Sequence, residues 1–239
     1  MAIPRSDDAP GSERSLRVGR IAAPLRSQAL VVLRQAILDF HYKPGQRLIE
    51  RELMEDLGVS RTTIREVLRE LGSEGLVTSI PQRGLIVASP SLKEATEVYE
   101  VRRALEELAM RAFIERASDE QVSRLRAALT AFEREAGEGG DLRALLGSKD
   151  DAYQVVLEGG DNEAVRAITE GLRARVRALD AASLAVPGRP ATELGELRLI
   201  VQAAERRDAD AAAAAVHAHV DAASAAGLAA LQALDASGA

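Results

Sequence analysis

The sequence predicts a mainly α protein in two parts: an N-terminal helix-turn-helix with a small β-hairpin wing, followed by an all-helical antiparallel bundle of about six helices. Three observations carry this expectation. Hydrophobic residues make up 46% of the chain but aromatics only 3%, with an abundance of the helix formers Ala, Leu, Arg and Glu. Apolar residues recur at three- and four-residue steps along most of the length. The β-prone stretches flank one Pro/Gly turn, at residues 81–84. A chain of 239 residues is long enough for two domains, each with its own core. The expected division is a disordered tail over 1–24, a helix-turn-helix domain with its wing over 25–88, a linker at 89–90 and a helical domain over 91–236.

Residues 1–24 mix Pro, Ser, Gly, Asp and Arg without helical periodicity, so they are expected to be a disordered tail. From Leu25, the residues Ala29, Val32, Leu33, Ala36, Ile37 and Phe40 lay one apolar stripe on a helix that Tyr42-Lys43-Pro44-Gly45 stops. A short helix over Glu50 to Leu57 buries Leu53, Met54 and Leu57 and ends at Gly58. Ser60 then caps a third helix whose back is Ile64, Val67, Leu68 and Leu71, and whose front is Arg61, Thr62, Arg65 and Arg69. Leu76 to Ile80 and Leu85 to Ala88, around Pro81-Gln82-Arg83-Gly84, read as a hairpin. Helices are expected at 91–116, 118–136, 141–158, 161–184, 191–207 and 208–234, separated by the breaks Glu138-Gly139-Gly140, Glu158-Gly159-Gly160-Asp161-Asn162 and Val186-Pro187-Gly188-Arg189-Pro190. Ser118 to Gln121 reads as a capping box.

Absence of cysteine removes disulfides, thiolate metal sites and cysteine nucleophiles from consideration. No apolar run approaches the roughly 20 residues that span a bilayer, so a cytoplasmic protein without membrane attachment is expected. The net charge of −6 is unevenly placed. Residues 1–24 hold four Arg against three acids, 25–88 nine Lys/Arg against eight, and 89–239 eighteen against twenty-six. The acidity is thus C-terminal, and the N-terminal third is weakly basic.

On the third helix Arg61 and Arg65 lie one turn apart near the end that usually meets base edges, and each guanidinium matches guanine O6 and N7. Thr62 and Thr63 suit phosphate or a thymine methyl, Ser60 can donate to phosphate from the cap, and Arg51 is placed to hold a phosphate. Arg83 and Gly84 at the wing tip fit a minor groove. Any one of these arginines is also what an ordinary solvated surface would show; the set together points to double-stranded DNA.

The run from Leu48-Ile49-Glu50-Arg51 through Gly58-Val59-Ser60-Arg61-Thr62-Thr63-Ile64-Arg65 to Leu71, with Gly75-Leu76-Val77 and the Arg83-Gly84 tip, resembles the GntR family of bacterial transcriptional regulators over about residues 25–88. The C-terminal part, opening with Tyr99-Glu100-Val101-Arg102-Arg103-Ala104-Leu105-Glu106, resembles the effector (FCD-type) domain of that family's FadR branch. Six helices rather than seven suggest its shorter, VanR-like subgroup. The resemblance implies a homodimer on a palindromic operator, a repressor whose binding a small carboxylate metabolite modulates. It also carries DNA contact onto Arg51, Ser60, Arg61, Thr62, Thr63, Arg65 and Gly84.

The same resemblance carries effector binding onto Arg102, with Asp150, Gln154 and His219 as hydrogen-bonding neighbours. Many relatives hold a divalent metal through an aspartate, a histidine one turn later and two later histidines. Here Asp150 and His219 match, but Gln154 and Leu197 stand where two histidines are expected. Zn or Ni is therefore disfavoured, since such a site needs three or four donors, and His217 faces away from His219. The competing reading of these residues is structural: Arg102 paired with Glu106, and His219 a satisfied core histidine.

An enzyme finds little support: there is no Gly-rich phosphate loop, nucleophile elbow or His-Glu-x-x-His. The remaining alternative is a ligand-independent architectural DNA binder whose effector site has decayed.

Overall fold

The computed structural model describes residues 23–81, 84–137 and 141–236. Among them the elements run α1 (Ala23–Leu38), α2 (Glu50–Leu57), α3 (Arg61–Ser73), β1 (Val77–Ile80), β2 (Gly84–Val87), α4 (Leu92–Arg116), α5 (Asp119–Gly137), α6 (Leu142–Gly160), α7 (Glu163–Leu184), α8 (Arg189–Glu205) and α9 (Ala209–Ala236). The chain is mainly α, as expected. The expected tail lies outside the described residues apart from Ala23 and Pro24, which open α1.

In the N-terminal head, Gly58 adopts φ 64° and its N–H reaches back to the Met54 carbonyl, which ends α2 abruptly. Two residues later the Ser60 Oγ accepts the Thr63 N–H at 3.2 Å and starts α3. Ile64, Val67, Leu68 and Leu71 are buried on one side of α3 against Leu33, Ile37 and Leu53. At about 1.5–3 kcal/mol per buried side chain, that face fixes the orientation of α3 and leaves its opposite face in solvent.

The first helix departs from expectation. Val32 is 54% exposed and Leu30 takes its place in the core. The helix also ends at Leu38, so Phe40 is not on its stripe. Phe40 sits at φ 57° and closes the helix: its N–H bonds the Ile37 carbonyl at 3.0 Å, and the His41 N–H bonds the Ala36 carbonyl at 2.9 Å. A left-handed residue with a Cβ is strained by about 1–2 kcal/mol. The Phe40 ring offsets this by packing on the bundle, against a cluster of Phe132, Leu145, Leu146, Ala181 and Leu184.

The hairpin pairs Val77 with Val87 and Ile80 with Gly84. A feature absent from the sequence expectation is a third, short edge: the Leu48 N–H bonds the Leu85 carbonyl at 2.8 Å and the Val87 N–H bonds the Gln46 carbonyl at 2.9 Å, so residues 45–48 flank β2. Only isolated bridging occurs there, which leaves no strand-length pattern to read.

The bundle comprises α4 to α9, with α4 packed on α6, α7 and α9, and α5 on α6 and α8. Ser91 and Glu94 cap α4 reciprocally, and Ser118 and Gln121 do the same for α5. Two expected breaks lie elsewhere. Gly159 and Gly160 belong to α6, which ends at Asp161 with φ 45°. They are small because α4 is close: a Cβ on Gly159 would lie 2.6 Å from the Phe113 ring. Helix α8 starts at Arg189, because Pro190 sits in its first turn, where a missing N–H costs no hydrogen bond. No helix among the described residues is long and apolar enough to cross a membrane.

Candidate nucleic-acid interface and effector cavity

The outer face of α3 is made basic by what happens on its flank. Glu66 and Glu70 ion-pair with Arg26 of α1, and Glu74 takes Arg34 of α1 at 2.7 Å. The acids of α3 are thereby neutralised by α1, while Arg61, Arg65 and Arg69, one turn apart, form an exposed row. Arg61 and Arg69 have no partner among the described residues, and neither has the exposed Arg51 in the first turn of α2. Arg65 is different: its Nε donates to both Glu50 carboxylate oxygens, at 3.1 and 3.0 Å.

Thr62 is exposed at the head of the row, and Thr63 is half-buried with its hydroxyl 2.9 Å from Ser60 Oγ. Ser60 thus serves as cap first, with its hydroxyl shared. Arg83 lies outside the described residues. Gly84 opens β2 at φ 80°, a conformation that suits glycine, with the Arg47 guanidinium beside it. Arg47 is exposed, and sequence reasoning missed it because the edge that presents it is too short to recognise.

The second site is a cavity of about 120 Å³ between the bundle helices. Its lining includes the apolar Met110, Leu125, Leu129, Phe132 and Val201 and a polar set, Arg102, Asp150, Tyr153, Gln154, Thr169, Arg173, Arg177, Asp180 and His219. The volume is close to that of cavities that accept a single aromatic ring. The four residues expected to contact an effector, Arg102, Asp150, Gln154 and His219, all line it.

Their partners decide what each can do. Arg102 is 4% exposed; its Nε donates to Glu106 at 2.5 Å and its Nη1 to Asp180 at 2.8 Å. Asp180 also takes Lys149 at 2.8 Å, and Lys149 lies 2.5 Å from Glu193. Glu193 is thus ion-paired with Lys149 through one oxygen, and Arg189 stands 3.6 Å from the other. Burial alone would push the Asp180 carboxyl up; the Arg102 and Lys149 charges overcome it and hold Asp180 well below the usual carboxylate range. Burial likewise opposes the charge on Arg102, but Asp180 and Glu106 keep its pKa well above the ordinary value.

Asp150 is the contrary case: burial pushes its carboxyl up and outweighs Arg177 and Arg173. Arg177 reaches it directly, whereas Arg173 stands 3.8 Å from Asp150 and 3.8 Å from Glu170. Arg173, 37% exposed in its side chain, is the most loosely held cation of this polar set. His219 is 3% exposed, with Nδ1 2.8 Å from Glu196, so Nδ1 carries the proton and donates to the carboxylate, leaving Nε2 as the ring's remaining polar atom. Glu196 in turn takes both Arg189 terminal nitrogens at 2.8 Å.

These partners do not suit a metal. Asp150 is engaged by Arg177 and His219 by Glu196, Gln154 and Leu197 stand at the other two expected positions, and no group of three or more His, Asp or Glu among the described residues is arranged to hold an ion. His217 instead meets Glu107 at 2.7 Å. Sequence reasoning found neither Arg177 and Asp180 of α7 nor Glu193 and Glu196 of α8. Their only signal was charge at core-facing helical positions, which resembles ordinary surface charge until the bundle is assembled.

Comparison with known proteins bears on both sites. Residues 25–87 match the bacterial regulatory proteins of the gntR family, and residues 97–222 match the FCD domain. The HTH-type transcriptional regulator YdhC of Bacillus subtilis is 26% identical over 187 residues, 78% of this chain and 84% of that protein. The Nta operon transcriptional regulator of Aminobacter aminovorans is 34% identical over 142 residues, 57% of this chain and 66% of that protein. The transcriptional repressor RspR of Escherichia coli is 27% identical over 197 residues, 82% and 86% of the two chains. Among solved structures, a GntR regulator from Rhodococcus sp. RHA1 superposes with a TM-score of 0.73 at 22% identity, covering 84% of this chain and 95% of that one. McbR/YncC of Escherichia coli follows at 0.70 and 21%, covering 82% and 93%.

Proposed function

The chain belongs to the gntR family of bacterial regulatory proteins, with an FCD domain behind its DNA-binding winged helix-turn-helix, and from that premise we propose that it is a cytoplasmic, homodimeric repressor released from a palindromic operator by a small carboxylate. The observation that carries the DNA reading is the exposed row of guanidinium groups on α3, free at Arg61 and Arg69 and held by Glu50 at Arg65, that remains once α1 has neutralised the acids beside it. Arg61 at the start of that row is assigned to a guanine edge, with Thr62 and Thr63 beside it. Arg51 and Arg69 hold phosphates, as does the Ser60 hydroxyl, and the wing tip at Arg83 and Gly84 meets the minor groove. Two heads related by a two-fold axis require a site with the same symmetry.

In the bundle, the carboxylate is assigned to Arg173, whose fork is least engaged, and to its neighbour Arg177. Tyr153, Gln154 and His219 Nε2 supply hydrogen bonds, and the apolar lining residues, Phe132 among them, receive the apolar part of the ligand. Arg102 then acts as the anchor of the polar set, because its guanidinium already serves Glu106 and Asp180.

The test is selection of sites from randomised duplexes by the full-length protein, followed by titration of the selected duplex with a panel of carboxylic acids. A palindromic consensus bound at least a thousandfold more tightly than random duplex, and weakened by one of the acids, is the expected result. Binding without sequence preference and without response to any acid would replace this reading with the architectural one.

A further inference from the structure

We propose that Arg177 is the mechanical link between the cavity and the DNA-binding head: a carboxylate that binds in the cavity draws the Arg177 guanidinium away from the end of α1 and so loosens the head. This rests on the reading of the cavity as a carboxylate site. Arg177 belongs to α7 and lines the cavity, yet its side chain serves both domains. Nη1 holds Asp150 on the cavity wall. Nε donates to the Leu38 carbonyl at 2.7 Å, and Nη2 lies 3.4 Å from Asp39.

Leu38 is the last residue of α1, so its carbonyl is one of the helix-end acceptors that lack an intrahelical donor, at the negative end of the dipole. A cation from the other domain satisfies it. Arg143 of α6 secures the same corner at 2.9 Å from Asp39, and Phe40 is seated in the bundle cluster that contains Phe132, itself a cavity residue. From this corner α1 runs back along α3, to which it is tied by Arg26 and Arg34. Asp150 is the partner most readily displaced, since its charge is poorly supported where it stands. A ligand carboxylate beside Arg173 would therefore compete for a guanidinium whose remaining N–H groups hold the head.

Amide hydrogen exchange over residues 36–42 of the full-length protein reads this corner directly. Arg177→Gln is expected to raise exchange there severalfold while α4 residues 109–113 stay protected. Asp39→Asn, which leaves the bundle intact, is expected to give a smaller rise in the same segment. Asp150→Asn should leave the segment as protected as in the unmodified protein, since Nε and Nη2 keep their partners. Benzoate, at a concentration that raises the melting temperature, should loosen residues 36–42 in the unmodified protein and cause no further loosening in Arg177→Gln.

Unchanged exchange in both Arg177→Gln and Asp39→Asn would overturn the link. So would a benzoate-induced thermal shift without any change over 36–42, which would leave the cavity reading standing. Absence of any thermal shift from benzoate or smaller monocarboxylates would instead overturn the carboxylate reading beneath the proposal, a failure distinguishable because exchange in ligand-free Arg177→Gln and Asp39→Asn reads the link without any ligand.

Discussion

Four exposed arginines of the head and three buried arginines of the bundle are the same residue used in opposite ways. On the head, Arg47, Arg51, Arg61 and Arg69 are exposed and have no partner among the described residues. In the bundle, Arg102, Arg177 and Arg189 are 4%, 5% and 6% exposed, and each divides its nitrogens between at least two acceptors. A free guanidinium keeps its fork for a polyanion; a buried one must spend it on neighbours, because an unpaired buried charge costs several kcal/mol. Substitutions in the two regions should therefore fail differently, the bundle in stability and the head in affinity.

The largest effect is expected at Asp180. Replacing it with Ala leaves Arg102 and Lys149 facing each other across a buried gap, and urea denaturation should show a loss of about 3–5 kcal/mol. A loss under about 1 kcal/mol would mean that the network rearranges and is not a rigid wall. The same site predicts the acid limb of the stability profile. Because the folded protein holds the Asp180 carboxyl below its unfolded value, its contribution is complete above about pH 4 and is lost as pH falls through the lower folded value. Asp150 has the opposite sign. Its raised pKa means that its charge is a liability above that value and that it gains stability as pH falls, so Asp150→Asn should be neutral or stabilising at pH 7 and unfold with a steeper acid limb.

On the head the expected changes are in binding. Arg61→Ala should cost about 1–3 kcal/mol on the selected duplex and little on random duplex. Arg69→Ala and Arg51→Ala should weaken both equally and lower the salt slope by about one. All three should unfold within about 0.5 kcal/mol of the unmodified protein. A stability loss comparable to that of Asp180→Ala would erase the distinction between the regions.

This distinction also marks what could be read from the sequence. Gly58, Ser60 and the Ile64-Val67-Leu68-Leu71 spacing determine a local structure, so the α2–α3 turn and the outward face of Arg61 were legible from neighbouring residues alone. The fate of Arg102 was legible only in part: its pairing with Glu106 follows from i, i+4 spacing, but whether it also meets a ligand or Asp180 depends on α7 packing against α4, and Arg102 and Asp180 are separated by 78 positions. Phe40 was misplaced for a related reason. Its spacing fits the stripe of α1, but the ring is claimed by Leu145, Leu146 and Phe132 of the bundle, and tertiary burial outweighed helical periodicity. Where structure rests on a local motif, sequence spacing located it; where it rests on helices meeting, only the candidates were visible.

Arg65 stands between the two kinds and gives the smallest effect, which is also the sharpest test. It lies in the exposed row with a side chain 60% accessible, yet it is paired with Glu50. A surface pair of this kind is worth about 0–1 kcal/mol, so Glu50→Gln should leave the denaturation midpoint almost unchanged. If the pair is a brake on DNA binding, releasing Arg65 should steepen the salt dependence by about one phosphate contact and strengthen binding to random duplex. If Glu50 instead orients Arg65 toward a base, the same substitution should weaken the selected duplex and leave random duplex unaffected. In the first outcome Arg65 behaves as a free head arginine held in reserve; in the second, its carboxylate partner positions it, as the carboxylates of the bundle position Arg102 and Arg189.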